Sequence, residues 1–380
     1  MTPAACDACL RRTSLLAALG PWLDLEWRRR SAPAGVLSLP DEALIALDSS
    51  GRVARVHARF APGRARERIA AAGLSALCRC EAGYPERLRE LADPPAVLHV
   101  AGLLAALERT DGVGIVGARR GTPYGLEVAR SLGRGLARAG VPVVSGMALG
   151  VDSAAHIGAL DDAAEHAGGD GLSGAAADLR PEAPVAVLAG AADVPYPASR
   201  RRLYARLVQH GCVVSEFPPG FTAFRWCFVA RNRLIAGLSA LTVVVEATER
   251  SGSLTTADFA AQLGRPVSAV PGPVTSRFSA GTNALLAAGA GLVRDTRDVL
   301  DQLGRPSSAS SHGDPQPSAI EPRLRRLLDA IERGHGSLAE LTSDPGATRQ
   351  VLQDLTDLEL RGLVRRDFGG RYARALEDPR

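Results

Sequence analysis

The sequence predicts an α/β protein: a doubly wound parallel sheet with a small helical N-terminal domain and a C-terminal winged helix. Three observations predict it. From residue 113 onward, short valine-rich runs alternate with helical stretches. That alternation makes a parallel sheet, and runs apolar throughout are strands covered on both faces. The first 80 residues are rich in Ala and Arg with helical periodicity, and a Ser/Pro-rich stretch isolates the last 60 or so.

Residues 1–82 read as the helical N-terminal domain, from LRRTSLLAALGPWLDLEWRRR and DEALIAL. Residues 83–303 form the sheet domain. A bridging segment, 84–110, carries an Asp93-Pro94-Pro95 break before the strand AVLHV. The strands that follow are 113–117, 141–146, 184–190, 212–217, 241–247, 266–272 and a short 291–295. Helices are expected at 123–139, 153–160, 199–210, 224–237, 254–263 and 282–289. Residues 161–184 exceed what the plan needs and read as a loop excursion. Residues 304–319 read as a flexible linker. In 320–375, three helices precede a hairpin turned at Gly369-Gly370, the composition of a winged helix. Arg349, Arg365, Arg366 and Arg371 in it suit DNA contact or a solvated wing.

Net charge is +4 over 380 residues, so any basic surface is local. All 45 Lys+Arg residues are arginine. Schiff-base and P-loop chemistry, which need a lysine, are excluded. Without a long apolar run or a signal-peptide core, the chain is expected in the cytoplasm, off the membrane. Six cysteines there argue against disulfides. Cys6, Cys9, Cys78 and Cys80 could together hold zinc. The C-x-C spacing of the second pair is unusual, and reduced thiols are the expectation. Cys212 and Cys227 read as core.

Open parallel sheets bind ligands beyond the carboxyl ends of their strands. Those ends deliver Gly117 to Arg120, Ser145-Gly146-Met147, Gly190, Ser215-Glu216-Phe217, Glu246 and Pro271-Gly272-Pro273. Gly112, Gly114 and Gly117 match G-x-G-x-x-G, but the first two fall inside the strand and no acid closes the next strand. A nicotinamide site is therefore not expected. Thr122-Pro123 is an N-cap and N1 pair. Asp152-Ser153 caps another helix. Ser251-Gly252-Ser253 opens a third, where backbone amides and the dipole suit phosphate; an ordinary cap explains it equally well. Arg119, Arg120, Arg200, Arg201, Arg202, Arg231 and Arg233 are spread over neighbouring loops. One mononucleotide needs one or two; this many suits consecutive phosphates of a strand. Phe217, Phe221 and Phe224 could stack bases, with core packing expected for at least two. Glu216 and Glu246 are expected to cap helices or pair with arginines, and His156 to sit in the core.

These residues resemble the DNA-processing protein DprA (Smf) family. The likeness runs through VGARRGTPYG, VVSGMALGVDSAAHIGAL, YPASRRRLYARLVQHGCVVSEFPPG, FVARNRLIAGLSALTVVVEATERSGSLTTADFAAQLGRPVSAVPG and SAGTNALLAAGA, over roughly residues 84–295. It implies an extended Rossmann domain, homodimers and no enzymatic activity or cofactor. It implies binding of single-stranded DNA during natural transformation, protection of that DNA, and loading of RecA recombinase past single-strand-binding protein. It puts the DNA-contacting arginine of the family's G-[ST]-R turn on Arg119, with Ala118 replacing the usual hydroxyl residue. Its R-N-R motif falls on Arg231, Asn232 and Arg233, and its S-G-S-L-x-T motif starts at Ser251 and takes in Gly252, Ser253 and Thr255. The expected interface is thus Gly117, Arg119, Arg120, Ser145, Gly146, Arg200 to Arg202, Arg231 to Arg233, Ser251, Gly252, Ser253 and Thr255. A nucleotide-cleaving phosphoribohydrolase of a related Rossmann group is the alternative, from a faint echo of its glycine-rich turn at Gly252 to Asp258.

Overall fold

Valine and other apolar side chains point alternately to opposite faces of each strand, so every strand from residue 113 on needs cover on both sides. The structure, a computed structural model, describes residues 5–29, 35–167, 182–305, 321–342, 348–360, 363–367 and 370–374. The chain divides into two compact units, Met1–Pro306 and Ser307–Arg380.

The first unit holds one nine-stranded sheet. Its strands are β1 (Ser75–Cys78), β2 (Val97–Gly102), β3 (Val113–Val116), β4 (Val143–Ser145), β5 (Val185–Val187), β6 (Cys212–Ser215), β7 (Leu241–Val244), β8 (Val267–Ala269) and β9 (Gly291–Leu292). Their spatial order is β1-β2-β6-β5-β4-β3-β7-β8-β9. The strands from β3 to β9 pair in parallel. β2 alone runs against its neighbours, β1 and β6. The helices are α1 (Asp7–Arg29), α2 (Asp41–Ala46), α3 (Arg52–Ala58), α4 (Pro62–Ala71), α5 (Glu86–Arg89), α6 (Pro123–Arg138), α7 (Val151–Ala167), α8 (Arg201–His210), α9 (Arg225–Leu238), α10 (Leu254–Gln262), α11 (Ala280–Ala287) and α12 (Thr296–Gln302).

The alternation splits the core as the pleat requires. Val113, Ile115, Leu241 and Val243 pack with Leu132 of α6 and Val151 and Ala155 of α7. Val116 and Val244, one residue on, pack with Leu234, Ile235 and Leu238 of α9. Helices therefore cover both faces.

Two features depart from the sequence reading. Residues 75–78 form β1, which joins the main sheet by pairing Ser75 with Val100 and Cys78 with Val97. Four residues, SALC, carry too little pattern to stand out from a helical background. The expected boundary at residue 82 is consequently bridged by strand pairing, and α1 packs into the same unit through Leu15, Leu19 and Leu23 against Phe217 and Trp226. Secondly, α7 continues to Ala167, into the segment expected as loop. Residues 168–181 of that loop, and the linker from residue 306 to 319, lie outside the described residues.

The second unit comprises α13 (Pro322–Glu332), α14 (Leu338–Leu341), α15 (Thr348–Leu360) and an antiparallel ribbon of β10 (Val364–Arg366) and β11 (Tyr372–Arg374). This is the element order expected of a winged helix. Leu324, Leu328, Leu355, Leu358 and Val364 form its core. Ser337 and Glu340 close a capping box on α14. The ribbon's turn glycine Gly370 has φ +73°, and Gly369 lies outside the described residues.

Candidate nucleic-acid interface

The turn after β3 is fixed from both ends. Thr122 caps α6 by accepting a hydrogen bond from the Gly125 amide at 3.2 Å. Its own amide and hydroxyl donate to Glu246, beyond β7, at 2.8 and 2.5 Å. Glu246 is thus a capping group, as expected. Gly117 leaves no room for a side chain: a Cβ there would meet Val151 Cγ2 at 2.8 Å. This clamped turn presents Arg119 and Arg120 to solvent.

Arg119 lies over the ring of Phe228, 5.2 Å from its centroid. Tyr196 approaches the same ring at 5.2 Å between centroids, tilted by 53°. Phe228 belongs to α9 and Tyr196 to the loop after β5, so three separate chain segments meet at one aromatic ring. They edge a groove that also takes in Gly146, Leu149, Pro197 and Arg231. Arg201 and Arg202, which open α8, are exposed, and Arg200 is half-buried with its Nε enclosed and unpartnered. Arg119, Arg120, Arg201 and Arg202 make no ion pair among the described residues.

The R-N-R segment of α9 behaves differently. Both guanidinium groups face inward, where the sequence reading had them offered to phosphate. Arg231 donates through Nη1 to the carbonyls of Gly146, at 2.8 Å, and of Val187. Burial lowers its pKa to about 10, against the opposing pull of Asp152. It remains charged at neutral pH and forms a cationic floor under the groove. Gly146 is needed for this contact: a Cβ there would stand 2.2 Å from the Arg231 guanidinium. Asp152 steadies the same loop by accepting from the Gly146 amide at 3.2 Å. Arg233 is spent on carboxylates, donating to both Glu216 oxygens at 2.8 Å and to Asp93 at 2.9 Å. Burial pulls its pKa down, but Glu216 and then Asp93 more than reverse this.

Asn232 is a brace. Its Nδ2 donates to the Gly252 carbonyl at 3.0 Å and to Thr255 Oγ1 at 2.8 Å. Thr255 also donates to that carbonyl at 2.7 Å, and Ser251 and Ser253 hydroxyls lie 2.7 Å apart. The Ser251-Gly252-Ser253 turn is therefore pinned at the start of α10, with Gly252 exposed and its surroundings open. Ser145 is fully buried and donates to the Ile115 carbonyl at 2.6 Å, a strand-to-strand tie.

The aromatic residues singled out in sequence turn elsewhere. Phe217 stacks on Phe221 at 4.2 Å, and Phe221 meets Phe224 edge-on. All three pack against α1, where Trp226 donates to the Gly20 carbonyl at 3.1 Å. The rings at the groove are Tyr196 and Phe228. The signal for Phe228 was present: it lies three residues before Arg231, hence on the same face of α9. His156 is buried and held neutral, its pKa lowered by burial to about 4.

A family model described as DNA recombination-mediator protein A matches residues 75–304. A putative DNA processing protein DprA of Mycobacterium tuberculosis is 39% identical over 301 residues, covering 77% of this chain and 72% of that one. The crystal structure of DNA processing protein A from Streptococcus pneumoniae superposes with a TM-score of 0.60 at 27% identity, over 77% of this chain and 95% of that one. A structure of the Helicobacter pylori protein, described for its single-stranded DNA binding mode, gives 0.52 at 29% identity, over 61% and 96%.

Proposed function

The chain belongs to the DNA recombination-mediator protein A family, and on that footing we propose that it binds single-stranded DNA along the rim formed by the turns after β3, β4, β5 and β7. The observation that carries the reading is the stack of Arg119 on Phe228 beside Tyr196, with Arg120 next in the same turn and Arg201 and Arg202 at the start of α8, all without an ion pair among the described residues. Guanidinium groups without carboxylate partners suit phosphates, and exposed rings suit bases regardless of sequence. Arg231 supplies a fixed charge beneath, and the pinned Ser251 turn sets the exposed Gly252 at the head of α10. Glu216 and Glu246, the carboxylates the phosphoribohydrolase alternative would draw on first, are engaged with Arg233 and Thr122.

The finer role follows the resemblance. The protein protects incoming single strands in the cytoplasm, displaces single-strand-binding protein and loads RecA during transformation, acting as a homodimer and without catalysis. Anisotropy of labelled mixed-sequence oligonucleotides, single-stranded against duplex and across salt, tests the binding step. Single strands should bind more tightly, with a log–log salt slope of roughly −0.7 per phosphate contacted. Equal affinity for duplex, or no salt dependence, would contradict the reading.

A further inference from the structure

The four cysteines Cys6, Cys9, Cys78 and Cys80 converge although two begin the chain and two lie at the end of β1. Their sulfur atoms all fall within 4.8 Å of one another. Cys9 Sγ lies 3.7 Å from Cys80 Sγ, and Cys6 Sγ lies 4.0 Å from it. Four thiolates each about 2.3 Å from one tetrahedral ion stand about 3.8 Å apart, so the spacing is that of a single-ion cage. It is too wide for a disulfide, whose sulfurs are about 2.0 Å apart, and all four cysteines are free. The Cys6 amide donates to Cys78 Sγ at 3.5 Å, which favours a charged sulfur.

We propose that these four cysteines bind one structural zinc ion that staples the start of α1 to the edge strand β1. Four sulfur ligands select zinc over harder cations, and four protein ligands fill a tetrahedral shell, the hallmark of a structural site. Each thiol loses its proton on binding, so four S–H bonds give way to four Zn–S bonds with no change in oxidation state. Nothing in this assignment depends on the DNA-binding reading.

The location gives the ion a job. Among the described residues β1 is the outermost strand on its side of the sheet, paired with β2. α1 starts at the cluster, and its later turns pack Leu15, Leu19 and Leu23 against Phe217 and Trp226, at the entry to α9. The ion thus fixes one end of the helix that supports the groove helix.

The test is metal analysis of the full chain, purified reduced from zinc-supplemented culture and passed through metal-free buffer. One zinc per chain is expected. Replacing it with cobalt should give the strong visible absorption of a tetrahedral tetrathiolate, with thiolate-to-cobalt charge transfer in the near ultraviolet. Cys80 is exposed, so Cys80→Ser disturbs packing least; it should retain less than a tenth of the zinc after chelator dialysis. A metal-free chain with six reactive thiols overturns the proposal, as does a disulfide, bound iron, or zinc undiminished in Cys80→Ser. If that variant fails to fold, the wild-type stoichiometry and cobalt spectrum decide.

Discussion

Arg119, Arg231 and Arg233 carry the same guanidinium and do three different things. Arg119 is exposed and makes no ion pair among the described residues, so Arg119→Ala should leave stability within about 0.5 kcal/mol while weakening single-strand binding roughly 10-fold or more. The loss should be the same for every sequence, with the salt slope shallower by about 0.7; anisotropy titrations check both. Phe228→Ala should cost about 1–3 kcal/mol of binding if a base stacks there. Unchanged affinity would move the stack to another ring. Arg233→Ala predicts the reverse pattern. It strands Glu216 and Asp93 in the interior, which costs about 3–5 kcal/mol of stability, read by urea denaturation. Arg119 was legible in sequence because a residue just past a strand in a covered sheet lies at the open edge. Arg233 was not, because its partner Asp93 is 140 residues away, and pairing over that span is set by topology.

At the scale of elements, the proposed interface is a set of turns held by side chains from other elements. Asn232 on α9 holds the turn before α10, and Glu246 beyond β7 holds the turn before α6. Asn232→Ala should therefore raise amide exchange at residues 251–255 and weaken binding without touching DNA itself. Hydrogen-exchange mass spectrometry distinguishes this from a lost contact, since protection at residues 119–122 should stay as it was. The parallel strands and the helices between them were legible because valine runs and caps such as Thr122-Pro123 are local signals. β1 was hidden by its length, and the true end of α7 by an Ala/Asp-rich stretch that suits helix and loop alike. The meeting of Cys6 and Cys9 with Cys78 and Cys80 was legible only as one of two readings, because deciding it requires knowing that β1 borders β2 and that α1 starts beside it.

For the whole molecule, two buried histidines set an acid limit. His99 and His156 are both neutral, their pKa values lowered to about 4 by burial. In the unfolded chain a histidine titrates near 6.5. As pH falls below that value the unfolded state takes up protons first, so stability is intact above about 6.5 and drains away toward 4. By pH 5 the loss should be on the order of 2 kcal/mol per ring, visible as a lower urea midpoint than at pH 7.5; a flat profile would show that one or both rings have partners. The sheet order has a consequence of its own. The loops carrying Arg119, Gly146, Tyr196 and Ser251 leave four adjacent strands, β3, β4, β5 and β7. Strands repeat about every 4.8 Å, so the loops span about 14 Å. The sheet is a ruler. A chain of nucleotides spaced about 3.4 Å apart, as in a duplex strand, fills that length with about four, and a stretched chain with fewer. Oligonucleotides lengthened one base at a time should gain affinity steeply up to that length and then level off, until they grow long enough to reach a second surface.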